Sequence, residues 1–243
     1  MKQYRSDTGM YVPTVTRTQM KELDRIAIEE TGPSLYQMME NAGRSCALAA
    51  LEMLGTQWKH ATVMVLAGSG GNGGGGICAA RHLANRSQGI DVYLCLSTPE
   101  KLGDVPAYQR KIFGSTHGKE CELEQLAHVK PSLIIDALVG YSLHGAPTGK
   151  TAELIQWANE NDAPVLSLDI PSGVDAATGE TPGQFINATR TVTLALPKTG
   201  LHPETTGDLW LADIGIPQRA FQKLGMDYTS PFENRFLIPL QHN

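Results

Sequence analysis

No stretch of this sequence approaches the ~20 consecutive apolar residues that a membrane-spanning helix needs. The N-terminal MKQYRSDTGM lacks the apolar core of a secretory signal. A cytoplasmic protein with no membrane partner is therefore expected. Long Lys/Arg clusters are also missing, and the net charge is -5 with a pI near 5.8. Such a balance provides no electrostatic footprint for nucleic acid. The four cysteines (Cys46, Cys78, Cys95 and Cys121) contain no C-x-x-C pair, and their spacing suits neither zinc nor a disulfide framework. Cys46, Cys78 and Cys95 lie among apolar neighbours and read as buried free thiols. No repeat, low-complexity tract or linker divides the 243 residues, so residues 1–243 read as one domain. A chain of this length buries roughly 70–75% of its unfolded surface and needs no covalent staple.

What the sequence does contain is an alternation of two patterns. Residues 17–29 place Met20, Leu23 and Ala27 on one helical face, with Thr16 or Thr18 as a cap. After Gly32-Pro33, residues 34–54 form a second helix, apolar around most of its girth and so expected to be deeply buried. Continuous apolar runs follow at 61–68, 90–97, 132–140 and 164–173, as in strands covered on both faces. Further strands are predicted at 189–195 and 208–215. Helical segments fall between them, at 104–113, 122–128 and 150–161 and directly after the first run, with a short one at 217–224. Strands alternating with helices predict an α/β fold, a mostly parallel doubly wound sheet with helices on both faces. Helices at about 16–54 precede the α/β core at about 60–225, and a tail of undetermined structure occupies 226–243.

Ligands in such sheets bind beyond the carboxyl ends of the strands. The first predicted strand is followed by GSGGNGGGG and the second by STPEKLGD. The third contains Asp136 and leads into GYSLHG. The fourth ends at Asp169 in DIPSGVDAATG, and the fifth leads to Pro197-Lys198-Thr199-Gly200. Glycines and polar groups thus converge on one edge. Gly68, Gly70 and Gly73 satisfy G-x-G-x-x-G between a strand and a helix, where bare backbone N–H groups can approach a phosphate. A dinucleotide dehydrogenase would place an acid at the end of the next strand to hold the ribose. That strand ends Leu94-Cys95-Leu96-Ser97, with Asp91 at its other end. A P-loop is excluded because Ile77-Cys78 follow the glycines instead of Lys-Ser/Thr. No Ser-His-Asp arrangement is legible, and Ser69 and Ser172 lack a nucleophile elbow. Among the histidines His144 is placed to touch a ligand, whereas His82 reads as packed or exposed. Asp136 stands in an apolar strand, where it either caps a turn or contacts a cation or substrate. Asn72, Asp136 and Ser172 offer hard oxygens without thiolate or imidazole, a donor set for an alkali or alkaline-earth cation.

Taken in order, these motifs resemble the NAD(P)H-hydrate epimerases, the YjeF N-terminal domain family. The similarity covers roughly residues 12–225 and rests on LYQMMENAG (35–43), VLAGSGGNGGGGICAARHLANRSQGIDV (65–92), LIIDALVGYSLHG (133–145), LSLDIPSGVDAATG (166–179) and TVTLALPKTGL (191–201). The resemblance implies a three-layer Rossmann-like sandwich that interconverts the R and S epimers of hydrated NADH and NADPH, a metabolite-repair reaction. It implies a bound potassium ion at Asn72, Asp136 and Ser172. Substrate contacts fall on Gly71, Asn72, Gly73, Gly74 and Gly75, on Gly140, Tyr141, Ser142, Leu143, His144, Gly145 and Ala146, and on Asp169. Asp169 and Lys198 are the candidate general acid and base, and a homodimer is a candidate assembly. Where the family usually reads G-N-N-G-G-D-G, this loop has Gly71 and Gly75 for the first Asn and the Asp. The alternative is a ligand-binding or protein-interaction domain of the same fold, without turnover.

Overall fold

The computed structural model describes residues 4–86, 89–143 and 145–242. In chain order the elements are β1 (Tyr4–Ser6), β2 (Tyr11–Val12), α1 (Arg17–Ile26), α2 (Leu35–Leu54), β3 (Thr62–Ala67), α3 (Gly71–Ala84), β4 (Asp91–Leu96) and α4 (Asp104–Phe113). They continue with β5 (Lys119–Glu120), β6 (Leu133–Ala137), α5 (Gly149–Asn159), β7 (Val165–Leu168), β8 (Arg190–Leu194), α6 (Pro203–Thr206), β9 (Asp208–Ala212), α7 (Gln218–Lys223) and β10 (Leu237–His242). All strands join one sheet in the order β2-β1-β10-β9-β8-β7-β6-β3-β4-β5. From β5 to β9 every pairing is parallel, as the apolar runs predict. The β2-β1-β10-β9 edge is antiparallel and takes up the two ends of the chain. The tail at 226–243 therefore contributes a strand that its sequence does not announce.

Burial explains the strand pattern. Strands β6 and β7 are buried at every position, and β3 is buried at every position but its first. Apolar clusters lie on both faces of the sheet, with α2 and α3 over one and α5 under the other. Helix α1 starts with a capping box: the Thr16 hydroxyl accepts from the Gln19 N–H, and the Gln19 side chain accepts from the Thr16 N–H. Helix α2 buries nine of its 20 residues, yet Tyr36 and Leu48 remain about half exposed. The segment after β2 crosses the sheet edge, where Val15 N–H donates to Pro197 O and Thr199 N–H donates to Val15 O, both at 3.0 Å. All four cysteines are buried free thiols. Among the described residues no helix is long and apolar enough to cross a membrane.

The α3 N-terminus is set by close approaches that only glycine permits. A Cβ on Gly68 would fall 2.0 Å from Leu138 O, and one on Gly73 would fall 1.8 Å from Gly68 O. A Cβ on Gly76 would meet the Ala137 Cβ at 2.3 Å. Gly71 has nothing within 4 Å of its own. Replacing Gly73 with Ala forces backbone apart, at ~1–3 kcal/mol or more. Gly73→Ala is expected to lower Tm by about 5 °C or more. Gly71→Ala, which removes only unfolded-state freedom, should leave Tm unchanged or slightly raised. Thermal melts of the two variants check this, and equal losses would contradict it.

Candidate active site

A cavity of about 410 Å³ opens along the carboxyl ends of the strands. Its floor is the turn after β3 (Gly68–Asn72), the turn after β6 (Leu138–Ser142) and Ser97-Thr98 after β4. Asp169, Leu194 and Lys198 line its far end, while Met20 and Asp24 of α1 and Leu35, Met38 and Met39 of α2 form its roof. The sulfur-rich, apolar roof can exclude water above polar groups on the floor.

Asp169 and Lys198 form a buried ion pair, with the two residues 4% and 1% exposed. Asp169 adopts φ 68°, a left-handed conformation that is uncommon for a residue other than glycine and tends to occur where function requires it. Its N–H donates to Val192 O at 2.7 Å, which anchors the turn on β8. The Lys198 ammonium donates to Asp169 Oδ1, to Leu194 O at 3.0 Å and to Thr193 Oγ1 at 3.4 Å. Its three protons thus have three protein acceptors. Asp169 Oδ1 also accepts from Leu194 N–H at 3.3 Å. Asp169 Oδ2 faces Gly140, where an added Cβ would lie 3.4 Å from that oxygen and 3.1 Å from the Asn72 Cβ. Gly140 is therefore the thin wall between Asn72 and Asp169.

Asp136 lies beneath this floor and is fully buried. Its Oδ2 accepts from Ser167 Oγ and Ser172 N–H, both at 2.8 Å. Its Oδ1 accepts from Ser172 Oγ at 2.5 Å and Leu138 N–H at 3.2 Å. Burial pushes its pKa up, and these donors oppose the shift. Ser172 Oγ also accepts from Val139 N–H at 2.8 Å. In contrast, both side-chain polar atoms of Asn72 are buried with no hydrogen-bond partner. Such atoms cost free energy unless a ligand, ion or water meets them. Asn72 Oδ1, the Asp136 carboxylate and Ser172 Oγ are hard oxygens that could hold an alkali cation.

The residues named from sequence divide into three groups. Gly71, Asn72, Gly140, Tyr141, Ser142, Asp169 and Lys198 line the cavity. Asp136 and Ser172 sit behind the floor, and Gly73, Gly74 and Gly75 are buried within the first turns of α3. Leu143 is buried, with its carbonyl accepting from Arg17 at 2.9 Å, and Gly145 and Ala146 are exposed. His144 lies outside the described residues. A Cβ at Gly75 would point at Leu168 Cδ2, 2.7 Å away, and Ala42, so this position faces α2 and the sheet rather than the cavity wall.

Asp24 is a site residue that the sequence reading missed. It accepts from the Tyr141 hydroxyl at 2.7 Å, joining α1 to the turn after β6. Burial pushes its pKa up, the Tyr141 hydrogen bond and Lys198 oppose this, and Asp169 adds to it. The usable signal is spacing: Asp24 falls one turn after Met20, so it lies on the buried face rather than the charged one. The roof residues Met38 and Met39 gave no chemical signal, because an apolar helix face reads simply as core.

The family model described as YjeF-related protein N-terminus matches residues 35–200. An NAD(P)H-hydrate epimerase of Dehalogenimonas lykanthroporepellens is 46% identical over 96% of this chain and 94% of its own length. A bifunctional NAD(P)H-hydrate repair enzyme of Salinibacter ruber is 34% identical, and the match covers 88% of this chain but 43% of that protein. The crystal structure of yeast ynu0 has the same fold, with a TM-score of 0.80 at 23% identity over 94% of this chain and 100% of that one. The cavity and its glycine helix define a small-molecule site at the edge of a Rossmann-like sheet. The chain belongs to the YjeF N-terminal family, among the NAD(P)H-hydrate epimerases.

Asp24 has a stability consequence with a definite sign. Its folded-state pKa is raised, so its contribution is most favourable below the ordinary carboxylate pKa and is lost as pH rises through the folded value. Asp24→Asn keeps an acceptor for Tyr141 and removes that loss. The variant is expected to melt higher than wild type near pH 7, and the difference should shrink on acidification. A difference that grows on acidification would contradict this.

Proposed function

We propose that this chain interconverts the epimers of hydrated NADH and NADPH, with Asp169 Oδ2 as the group that moves the proton. The observation that carries the reading is the facing of Asp169 Oδ2 and the unpartnered Asn72 amide across Gly140, beside the N-terminus of a glycine helix. The helix N-terminus suits the substrate diphosphate. Asn72 Nδ2 and Oδ1 are a donor and an acceptor awaiting partners.

The reacting carbon of the hydrate bears a hydroxyl and is bonded to the ring nitrogen. In the proposed step the C–O bond breaks as the nitrogen lone pair forms a C=N bond, and the leaving hydroxyl takes the proton carried on Asp169 Oδ2 to depart as water, which leaves the carboxylate ion-paired with Lys198. Water then adds to the opposite face of that carbon and gives its proton back to a base. The two proton transfers balance, and Asp169 Oδ2 serves for both once the planar ring has turned its other face toward it. Lys198, with all three protons bound to protein acceptors, orients the carboxylate and offsets its charge rather than meeting the substrate. The roof of α1 and α2 limits entry of bulk water, which favours return of the same hydrate.

Potassium fits the residues present, because Asn72 Oδ1 lacks a partner and the surrounding donors are oxygens. Asn72, Asp136 and Ser172 would hold it, and its charge would offset the buried carboxylate and the diphosphate. The Gly75 departure from the family pattern leaves the cavity intact, since position 75 faces Leu168 and Ala42.

The test is epimer exchange of separated R and S NADHX followed by chromatography. Asp169→Asn is expected to slow exchange by about 10²–10⁴-fold with an unchanged circular dichroism spectrum. Exchange at the wild-type rate in that variant would remove Asp169 from the mechanism.

A further inference from the structure

Tyr36 and Tyr108 are 45% and 51% exposed, and they contact one another edge to face, with ring centroids 5.4 Å apart and planes at 86°. Two exposed rings held rigid by each other, with aromatic surface still open, form a stacking platform at small entropic cost. Their position ties them to the cavity. Tyr36 lies in the first turn of α2, about 60° around the helix from Met39, which lines the roof. Tyr108 lies on α4, whose cap residue Gly103 donates its N–H to Ser69 O at 3.2 Å, and Ser69 lines the floor. The pair thus bridges the two helices that flank the N-terminus of α3, where Gly70 and Gly71 are exposed.

The order of strands gives this position a meaning. Asp169 follows β7, while Ser97 and Thr98 at the other end of the cavity follow β4. Between β7 and β4 lie three steps across β6 and β3, or about 14 Å at ~4.8 Å each. The α3 N-terminus stands between these two ends. A dinucleotide laid along this edge, with its reactive ring at Asp169 and its diphosphate at α3, carries its adenine past Thr98 toward α4. Ser97 and Thr98 supply no acid to grip the ribose there, so another feature must hold the adenosine half.

We propose that Tyr36 and Tyr108 are the adenine-stacking platform of this chain, and so set affinity for the adenosine half of the substrate. The proposal rests on the epimerase reading for its substrate and is separable from it by binding. The probe is ADP-ribose, which carries the adenosine diphosphate without the reactive ring. Its Kd is measured by calorimetry for wild type, Tyr36→Ala, Tyr108→Ala and Tyr108→Phe. In parallel, exchange is measured for NADHX and for hydrated reduced nicotinamide mononucleotide, which lacks adenosine. The alanine variants are expected to weaken ADP-ribose binding and raise KM for NADHX by about 10- to 100-fold. Exchange of the mononucleotide should be unchanged, and Tyr108→Phe should bind like wild type. ADP-ribose binding by a wild type that fails to exchange NADHX would end the epimerase reading and leave the platform standing. The platform is overturned if wild type does not bind ADP-ribose, or if both alanine variants bind it within twofold of wild type. It is equally overturned if the mononucleotide suffers the same loss as NADHX. A change in sedimentation with unaltered ADP-ribose affinity would make the pair a contact between copies of the chain instead.

Discussion

The arrangement depends on one steric constraint: the first turns of α3 must approach the sheet and α2 more closely than any side chain allows. Gly73 lies over the Gly68 carbonyl and Gly76 against Ala137, while Gly43 of α2 leaves room for Cys78 and the Gly75 carbonyl. These contacts draw three layers together at one point. Because α3 sits so low, Asn72 reaches the turns after β6 and β7. Gly140 then provides a wall thin enough for Asn72 and Asp169 to face each other. Side chains at these glycines would lift the helix, and the cavity floor would lose its geometry even with every polar residue present.

The same constraint explains what was legible beforehand. Parallel strands covered on both faces must be apolar throughout, so β3, β4, β6 and β7 stood out as runs. Their carboxyl ends pointed to Asn72, Asp136 and Asp169, and the end of the fifth predicted strand, β8, to Lys198, without reference to geometry. The antiparallel edge was not legible, because β1 and β2 have three and two residues and β10 carries Pro239 and a polar end. Such strands are recruited by pairing and show no period of their own. The burial of Asp24 was hidden for a related reason: one carboxylate on an amphipathic helix reads as part of its wet face. Nor could the sequence say which way position 75 points, since that depends on the crossing of α2 over α3.

Charge is the second organising quantity. Asp169 and Asp24 lie near one buried cation, Lys198, while Asp136 is held by serine and backbone donors beneath the floor, and burial raises the pKa of Asp24 and Asp136. Burying a carboxylate costs several kcal/mol unless partners replace its water (roughly, and more without a countercharge). Asp136 receives four hydrogen bonds, Asp24 receives one from Tyr141, and Asp169 takes the ion pair. An entering diphosphate adds negative charge to a region already rich in acids. The α3 N-terminus offsets part of it, and a cation beside Asn72 and Asp136 would offset more.

Glycine at position 75 belongs to this balance. A carboxylate there would start 2.7 Å from Leu168 Cδ2, between α2 and the sheet. It would be a fourth acid in the same region, placed where the glycine contacts bring the layers closest. With glycine, that space is filled by Leu168 and Ala42, and the acids that remain are those with partners on the cavity floor. Catalysis in the proposed scheme requires an oxygen at the substrate face of the floor, and Asp169 Oδ2 occupies it independently of position 75. The local departure from the family pattern therefore alters packing beneath the site more than the chemistry at its surface.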